Sequence, residues 1–318
     1  MAQVPPGRLE VDGLEYPWSA IGRVNAGGRG HCTGFLVAAD RVITAAHCLY
    51  VFVEGRWRGP AELHFVAGYQ RDRVVIHSAV TGYDVSRQFK PLDGPSAANA
   101  LHDWAILRLA EPIGERAGWL AMKAPDSATM TALKAGRSHL IQAGYHRRAQ
   151  HVMSAALDCP LTAVFNRGLG LAHACDLAEG DSGSPLLLLE GDRLSAIAIH
   201  IFGFEHDGQR MTGALSVAFF AVPGGPEAPS ALFRQAGLAW QGGSAPAAGG
   251  PVRALPLATI GQLLAERGLL PPPPDGQTPQ PPDPVALEAA IAAYQRQAGL
   301  APTGEPSFAL FARLVARR

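Results

Sequence analysis

The sequence predicts a mainly β protein that ends in a small all-α module. Between residues 18 and 222, short apolar runs of strand length alternate with glycine, proline and charged residues, and long helical patterns are scarce. Many short strands at regular spacing are typical of an all-β sandwich or barrel. From Leu255 onward the apolar residues recur at helical spacing instead. The length of 318 residues suits one large domain or two smaller ones.

The predicted strands are apolar runs of four or five residues. They lie at residues 34–37, 41–44, 63–66, 104–107, 185–189 and 196–199. The four consecutive leucines at 186–189 indicate a buried strand, because a membrane span needs about 18 apolar residues or more. We therefore expect no membrane span. The 27 basic and 27 acidic residues balance, which gives no reason to expect a nucleic-acid partner.

The four cysteines fall into two pairs, each 16 residues apart: Cys32 with Cys48, and Cys159 with Cys175. Two such pairs favour two disulfides and an oxidising compartment over the alternative of four reduced core cysteines. No Cys-x-x-Cys or close Cys/His grouping indicates a metal site, and no cofactor is expected. The first 17 residues lack the apolar core of a signal peptide, so either the protein stays inside or an export signal has been removed.

Three short segments carry the candidate chemistry. Gly-Asp-Ser-Gly-Ser-Pro at 180–185 places Ser182 between glycines, the surroundings of an activated nucleophile, although a polar surface turn is the alternative. His47 follows an apolar run and precedes Cys48, which makes it a candidate general base, although a surface or structural histidine is the alternative. Asp103 precedes a strongly apolar strand, where its carboxylate needs a partner such as an imidazole; a turn aspartate is the alternative.

Together these segments, in the order His, Asp, Ser, resemble the signature segments of the trypsin/chymotrypsin family of serine peptidases. The resemblance covers residues 17–222 and looks closest to the exported bacterial branch, which includes glutamyl endopeptidase-like enzymes. Further points of likeness lie at residues 20–24, 143–145 and 173–176. The resemblance implies two six-stranded antiparallel β-barrels with the active site between them.

The resemblance also implies a role for each residue. Ser182 would attack the scissile carbonyl, His47 would move the proton, and Asp103 would orient the imidazole. The backbone amides of Gly180 and Ser182 would form the oxyanion hole.

The resemblance bears on the cysteines as well. Cys32 with Cys48 would be the family's disulfide beside the histidine, whereas the pairing of Cys159 with Cys175 rests on spacing and on the bacterial branch.

One departure concerns activation. Digestive trypsins begin with a freed Ile-Val-Gly-Gly end, whose ammonium group pairs with the aspartate before the serine. No such sequence precedes Pro17, so the sequence leaves Asp181 without its usual partner.

Substrate preference has opposing indicators. Asp176 lies six residues before Ser182, where trypsin carries its pocket aspartate, and this favours a basic side chain. His200 lies where glutamyl endopeptidases carry a histidine that meets an acidic side chain. A small or apolar preference is also open. The strand formed by His200, Ile201, Phe202 and Gly203 is expected to pair with extended substrate.

The rest of the chain divides into an extension (1–16), a Gly/Pro/Ala-rich linker (223–254) with a possible short helix at 230–240, and a helical module (255–318). Thr259, Asp283 and Ser307 are the predicted helix caps. The sequence at residues 260–270 and 289–314 resembles a three-helix peptidoglycan-binding domain. A helical cap, or a module that pairs with another protein, is the alternative.

The sequence thus predicts an exported bacterial serine endopeptidase that acts on protein or peptide substrates and is held near the cell wall. Residues 255–318 are the candidate peptidoglycan-binding module. Two rivals are a catalytically silent trypsin-like binding protein and a peptidase that cuts peptidoglycan cross-links.

Overall fold

The structure is a computed structural model, which describes residues 4–28, 30–94, 96–135, 137–175, 177–190, 193–206, 209–221, 255–274 and 276–316. Its strands are β1 (Leu9–Glu10), β2 (Ile21–Ala26), β3 (His31–Ala38), β4 (Arg41–Thr44), β5 (Tyr50–Val51), β6 (Arg56–Trp57), β7 (Leu63–Ala67), β8 (Ile76–Val85), β9 (Ala105–Leu109), β10 (His139–Gly144), β11 (Ser154–Ala156), β12 (Leu161–Phe165), β13 (Gly170–His173), β14 (Pro185–Glu190), β15 (Arg193–His206) and β16 (Gln209–Ser216). Its helices are α1 (Ala97–Ala100), α2 (Gly114–Ala117), α3 (Ser127–Lys134), α4 (Leu257–Ala265), α5 (Pro284–Gln297) and α6 (Phe308–Val315). The predicted linker and its helix lie outside the described residues.

The first half of the chain forms a closed antiparallel barrel with strand order β2-β3-β4-β9-β8-β7. In β7, Leu63, Phe65 and Ala67 are buried while His64 and Val66 alternate outward, which is the period of two expected of a strand with one wet face. Phe35 and Phe65 are fully buried in the core. The barrel places β4 beside β9, pairing Thr44 with Ala105, and this register later positions the site.

The second half forms an antiparallel eight-stranded sheet in the order β1-β11-β10-β14-β15-β16-β13-β12. The leucine run of β14 lies between β10 and β15 and is buried on both faces, which explains why it is apolar throughout. The predicted fold class is confirmed: the protein is mainly β, with one closed six-stranded barrel, a half-barrel in place of the second closed barrel, and helices at the C-terminal end.

Residues 4–17, called here the N-terminal arm, form part of the second half of the fold. Strand β1 pairs with β11, with Leu9 opposite Ala155, and the Val11 amide donates to the Met153 carbonyl at 3.1 Å. Val11 is fully buried. The arm therefore supplies an edge strand to the half-barrel.

Residues 255–274 and 276–316, called here the C-terminal module, contain α4, α5 and α6. Two predicted caps are present: Asp283 accepts from the amides of Val285 and Ala286, ahead of a helix that begins at Pro284, and Ser307 accepts from the Leu310 amide. None of the helices in the described parts of the chain is long and apolar enough to cross a membrane.

The predicted cap at Thr259 is wrong. Helix α4 begins at Leu257, so Thr259 lies within its first turn, fully buried. Its hydroxyl oxygen accepts a hydrogen bond from Trp18 Nε1 at 3.1 Å, and the Ala258 amide at the helix start donates to the Glu15 carboxylate instead. A distant carboxylate thus does the capping that the sequence assigned to a local hydroxyl.

Candidate active site

The predicted base and its orienting carboxylate meet because β4 and β9 are neighbours. His47 lies in the 3-10 turn Ala46–Leu49 that follows β4, and Asp103 lies two residues before β9. The His47 Nδ1 atom is 2.7 Å from Asp103 Oδ2, and the His47 amide donates to Asp103 Oδ1 at 2.9 Å. Two hydrogen bonds from one residue fix the carboxylate, which is 6% exposed.

The electrostatics of the pair favour a basic imidazole. Burial lowers the pKa of His47, but attraction to Asp103 and the hydrogen bond between them outweigh burial, and the resulting pKa is raised above 6.5. Neutral His47 with Nδ1–H directed at Asp103 leaves Nε2 as the acceptor. The pair is therefore suited to take a proton from a hydroxyl at its open side.

The segment that contains Ser182, the candidate nucleophile, belongs to the second half of the fold and is hydrogen-bonded to the first. The Ser182 carbonyl accepts from the Thr33 amide at 2.9 Å, and Thr33 Oγ1 donates to the Gly180 carbonyl at 2.7 Å. Cys48, in its disulfide with Cys32, lies with Sγ 3.9 Å from the Ser182 carbonyl oxygen. The first barrel thus holds the Ser182 turn next to the His47 turn.

Two glycines allow this turn to form. Gly180 has φ +95° and Gly183 has φ +83°, conformations that other residues rarely adopt. A Cβ at Gly183 would meet the Thr33 carbonyl and Thr44 Oγ1, each at 2.2 Å. The turn is therefore packed too closely for any side chain at this position.

The amides of Gly180 and Ser182 are available as donors. Their carbonyl oxygens are bound by Thr33, whereas neither amide donates to another group in the part of the chain that the structure describes. Two preorganised amides beside a serine are the arrangement that stabilises an oxyanion.

The residue before the nucleophile, Asp181, has a cationic partner after all. The Arg8 guanidinium donates to Asp181 Oδ1 at 3.2 Å and to Oδ2 at 3.3 Å, and neither side chain is exposed to solvent. The positive charge does not come from a freed ammonium group, as in digestive trypsins: a side chain of the N-terminal arm supplies it.

Arg8 is otherwise well satisfied. It donates to Gln142 Oε1 at 2.6 Å, Ser154 Oγ at 3.0 Å and the Ser154 carbonyl at 2.8 Å. Gln142 in turn donates to Ser184 Oγ at 2.8 Å. A fully bonded buried guanidinium keeps its charge and position, so Arg8 fixes the Asp181 side of the nucleophile turn.

Sequence reasoning missed Arg8 because nothing local marks it among the basic residues of the chain. The unpaired Asp181 signalled that some cation was needed. Only the pairing of β1 with β11, whose paired residues are 144 and 146 positions apart in sequence, shows which one.

The specificity residues are placed in part. Asp176 lies outside the described residues. Ile201 is buried, Phe202 half-buried and Gly203 exposed, in the part of β15 where the pairing with β16 shifts register.

The backbone of His200 brackets the nucleophile turn. Its amide donates to the Ser184 carbonyl and its carbonyl accepts from the Gly183 amide, both at 2.8 Å. His200 thus lies directly behind the turn.

His200 is 4% exposed and has a buried neighbour that sequence reasoning missed, His173, whose ring centroid is 6.1 Å away. Burial lowers the pKa of His173 to about 4. Burial, followed by the electrostatic interactions with His173, His47 and Arg8, holds the pKa of His200 well below 6.5. Both imidazoles are neutral at pH 7. In the described residues, His173 Nε2 and His200 Nδ1 have no hydrogen-bond partner.

Two His/Cys groups come together in the described residues: His47 with Cys32 and Cys48, and His173 with Cys159 and Cys175. In both groups the cysteines are joined in the predicted disulfides. Neither group offers a thiolate ligand, so these side chains do not form a zinc site of the usual kind.

The sequence profile of the trypsin family matches residues 7–221. The chain belongs to the trypsin family. The match includes Arg8 and all three candidate catalytic residues.

Individual relatives are more distant. The chain is 26% identical over 195 residues to a glutamyl endopeptidase of Bacillus licheniformis, which covers 59% of this chain and 56% of the relative. It is 26% identical over 232 residues to transmembrane protease serine 5 of Homo sapiens, covering 63% of this chain and 44% of the relative. The chain thus spans about half the length of these curated relatives.

A solved structure of Glu endopeptidase in complex with MPD superposes on 76% of this chain and on all of that chain, with a TM-score of 0.55 and 18% identity. This likeness supports the fold.

We expect the imidazole of His47 to titrate with a pKa above 6.5 in NMR spectra of the wild-type protein. In Asp103→Asn the attraction is lost and burial remains, so the pKa should fall below 6.5. His31 is the internal control: burial lowers its pKa, and the change at Asp103 should leave it unmoved. An unchanged His47 titration in Asp103→Asn would contradict the assigned pairing.

Proposed function

We propose that the protein is a serine endopeptidase that cleaves peptide bonds through an acyl-enzyme. One observation carries the proposal: a hydrogen-bonded Asp103–His47 pair lies beside a glycine-flanked turn that carries Ser182 and two amides that have no acceptor among the described residues. Membership of the trypsin family and the names of the relatives support it.

In this proposal Ser182 Oγ attacks the scissile carbonyl carbon, and Nε2 of neutral His47 takes the hydroxyl proton. Asp103 stabilises the imidazolium, and the amides of Gly180 and Ser182 donate to the oxyanion. The imidazolium then protonates the leaving amine. Water, deprotonated by His47, hydrolyses the ester and frees Ser182.

The same proposal needs no proteolytic release of an amino terminus. Asp181 already has a buried cation in Arg8, and this pair holds the turn together with the hydrogen bonds from Thr33. Such bracing keeps the Gly180 amide directed at the reaction centre before substrate arrives, which is what electrostatic preorganisation requires.

We expect a fluorophosphonate to label the full-length protein at Ser182, as located by mass spectrometry. Labelling should be lost in Ser182→Ala and reduced by about 10³-fold or more in His47→Ala, because an unactivated hydroxyl is a poor nucleophile. Ser184→Ala is the matched control and should still be labelled at Ser182.

Failure to label the wild type would favour the silent, binding-only rival. Zymograms separate the other rival: a peptidase that acts on wall cross-links would clear peptidoglycan and leave casein intact, whereas our proposal expects casein to be cleared.

We further propose that an acidic side chain is preferred before the cleaved bond. His200 lies behind the turn that carries Ser182, and its Nδ1 atom has no hydrogen-bond partner in the described residues. A substrate carboxylate beside Nδ1 would favour the protonated ring, which can donate to it from this nitrogen. The glutamyl endopeptidase among the relatives agrees with this choice. A basic preference through Asp176 is the competing possibility.

We expect a peptide panel that varies only the residue before the scissile bond to give the highest kcat/KM for Glu. Exchange of Glu for Gln should cost about 10-fold or more, since a lost charge-assisted hydrogen bond costs about 1.5–3 kcal/mol. His200→Phe should reduce this discrimination while retaining cleavage after Ala. Highest kcat/KM for Lys or Arg would contradict the proposal.

We also propose that the protein is exported and that the C-terminal module binds peptidoglycan. The two disulfides fit an oxidising compartment. An open cavity of about 360 Å³ lies between β1 and the proline-rich segment before α5, lined by Glu10, Gln262, Glu266 and Gln277 among others. Its amides and carboxylates suit a polar ligand. Binding there would raise the local concentration of the peptidase on wall proteins.

Sedimentation with insoluble peptidoglycan tests this role in full-length Ser182→Ala, which does not digest its surroundings. We expect retention on peptidoglycan and none on cellulose, with weaker retention for Gln277→Ala. Equal recovery on both polymers would contradict a specific wall-binding role.

A further inference from the structure

The C-terminal module contacts the N-terminal arm that carries Arg8 at two points, and it contacts the residue that follows the arm at a third. The Gln262 side-chain amide donates to the Glu10 carbonyl at 3.0 Å. The Ala258 amide donates to the Glu15 carboxylate at 3.2 and 3.1 Å. Just after the arm, Trp18 Nε1 donates to Thr259 Oγ1 at 3.1 Å.

These polar contacts surround shared apolar packing. Val11 and Trp18 are fully buried in the same core as Ile260, Leu263 and Leu264, each of which is also fully buried. Helix α4 thus covers the outer side of the arm, while β11 pairs with its inner side. The arm lies between the peptidase fold and the module.

The peptidase fold also holds the arm, since the Arg71 and Gln70 side chains donate to the Glu10 carboxylate at 2.8 and 3.0 Å, but the strand pairing of the arm itself is short. Strand β1 has only two residues and lies at the edge of its sheet, where pairing is weakest. Its inward-pointing Arg8 carries a charge that is costly to bury unless every partner is in position. The cover provided by the module therefore bears directly on whether Arg8 stays at Asp181.

We propose that the C-terminal module is an intramolecular clamp that holds Arg8 at Asp181 and thereby keeps the oxyanion turn of the peptidase assembled. Gln262 and Thr259 are positioning residues in this scheme, acting on catalysis through the arm. The proposal rests on the peptidase function proposed above, and it gives the module a role in turnover in addition to any binding role.

A double-mutant cycle tests the clamp, with Gln262→Ala as the module change and Arg8→Ala as the arm change, both in the full-length protein. We expect Gln262→Ala to lower kcat/KM by about 10-fold with KM nearly unchanged, since it removes a hydrogen bond from the arm and not from substrate. In the Arg8→Ala background the same change should cost less than about 2-fold, because the arm no longer acts on Asp181. Gln297→Ala, exposed at the end of α5, is the matched control and should have no effect.

Equal losses in both backgrounds would overturn the clamp, because a merely structural contribution of α4 would act regardless of Arg8. Thr259→Val provides a second variant for the same cycle should Gln262→Ala fold poorly, and it should give the same pattern.

Hydrogen exchange reads the arm independently of catalysis. The Val11 amide, bonded to Met153, should exchange faster in Gln262→Ala and at the wild-type rate in Gln297→Ala. Unchanged exchange at Val11 would overturn the clamp even in an active enzyme. If the wild-type protein lacked peptidase activity while Val11 still exchanged faster in Gln262→Ala, the proposed function would be refuted. Only the stabilisation of the arm by the module would then be supported.

Discussion

The buried Arg8–Asp181 pair is the interaction on which the arrangement of the site depends. Asp181 precedes Ser182, so its position sets the path of the turn that carries Ser182 and the two candidate oxyanion amides. Thr33 holds the carbonyl side of the same turn from the first barrel. Without a cation, the buried Asp181 carboxylate would move toward water and distort the turn. The position of the arm therefore affects the geometry of the site.

The surroundings of the three histidines at the site give them different pKa values. His47 keeps a raised pKa because a carboxylate adjoins it, whereas burial holds the pKa of His200 and His173 low. His47 is thus prepared to accept a proton, whereas His200 and His173 stay neutral at pH 7. In both cases the environment supplied by the fold, rather than the residue type, decides the function.

Much of the fold and of the site is predictable because it depends on residues that are close together in sequence. Strand β4 and the caps at Asp283 and Ser307 follow from periodicity and hydrogen-bonding capacity within a few residues. Thr259 was assigned wrongly because its true partner, Trp18, is 241 positions away. Sequence analysis missed Arg8 and His173 for the same reason, because their contacts depend on which strands are neighbours. Only tertiary pairing brings Arg8 to Asp181 and His173 to His200.

The most direct test of this account is a crystal structure of the unprocessed, full-length protein with a phosphonate bound covalently to Ser182. The account predicts a phosphonyl oxygen about 2.7–3.1 Å from the amide nitrogens of both Gly180 and Ser182, with Arg8 still paired to Asp181. A phosphonyl oxygen directed away from these amides, or an arm withdrawn from Asp181 in a fully reactive enzyme, would contradict the claim that Arg8 assembles the oxyanion site.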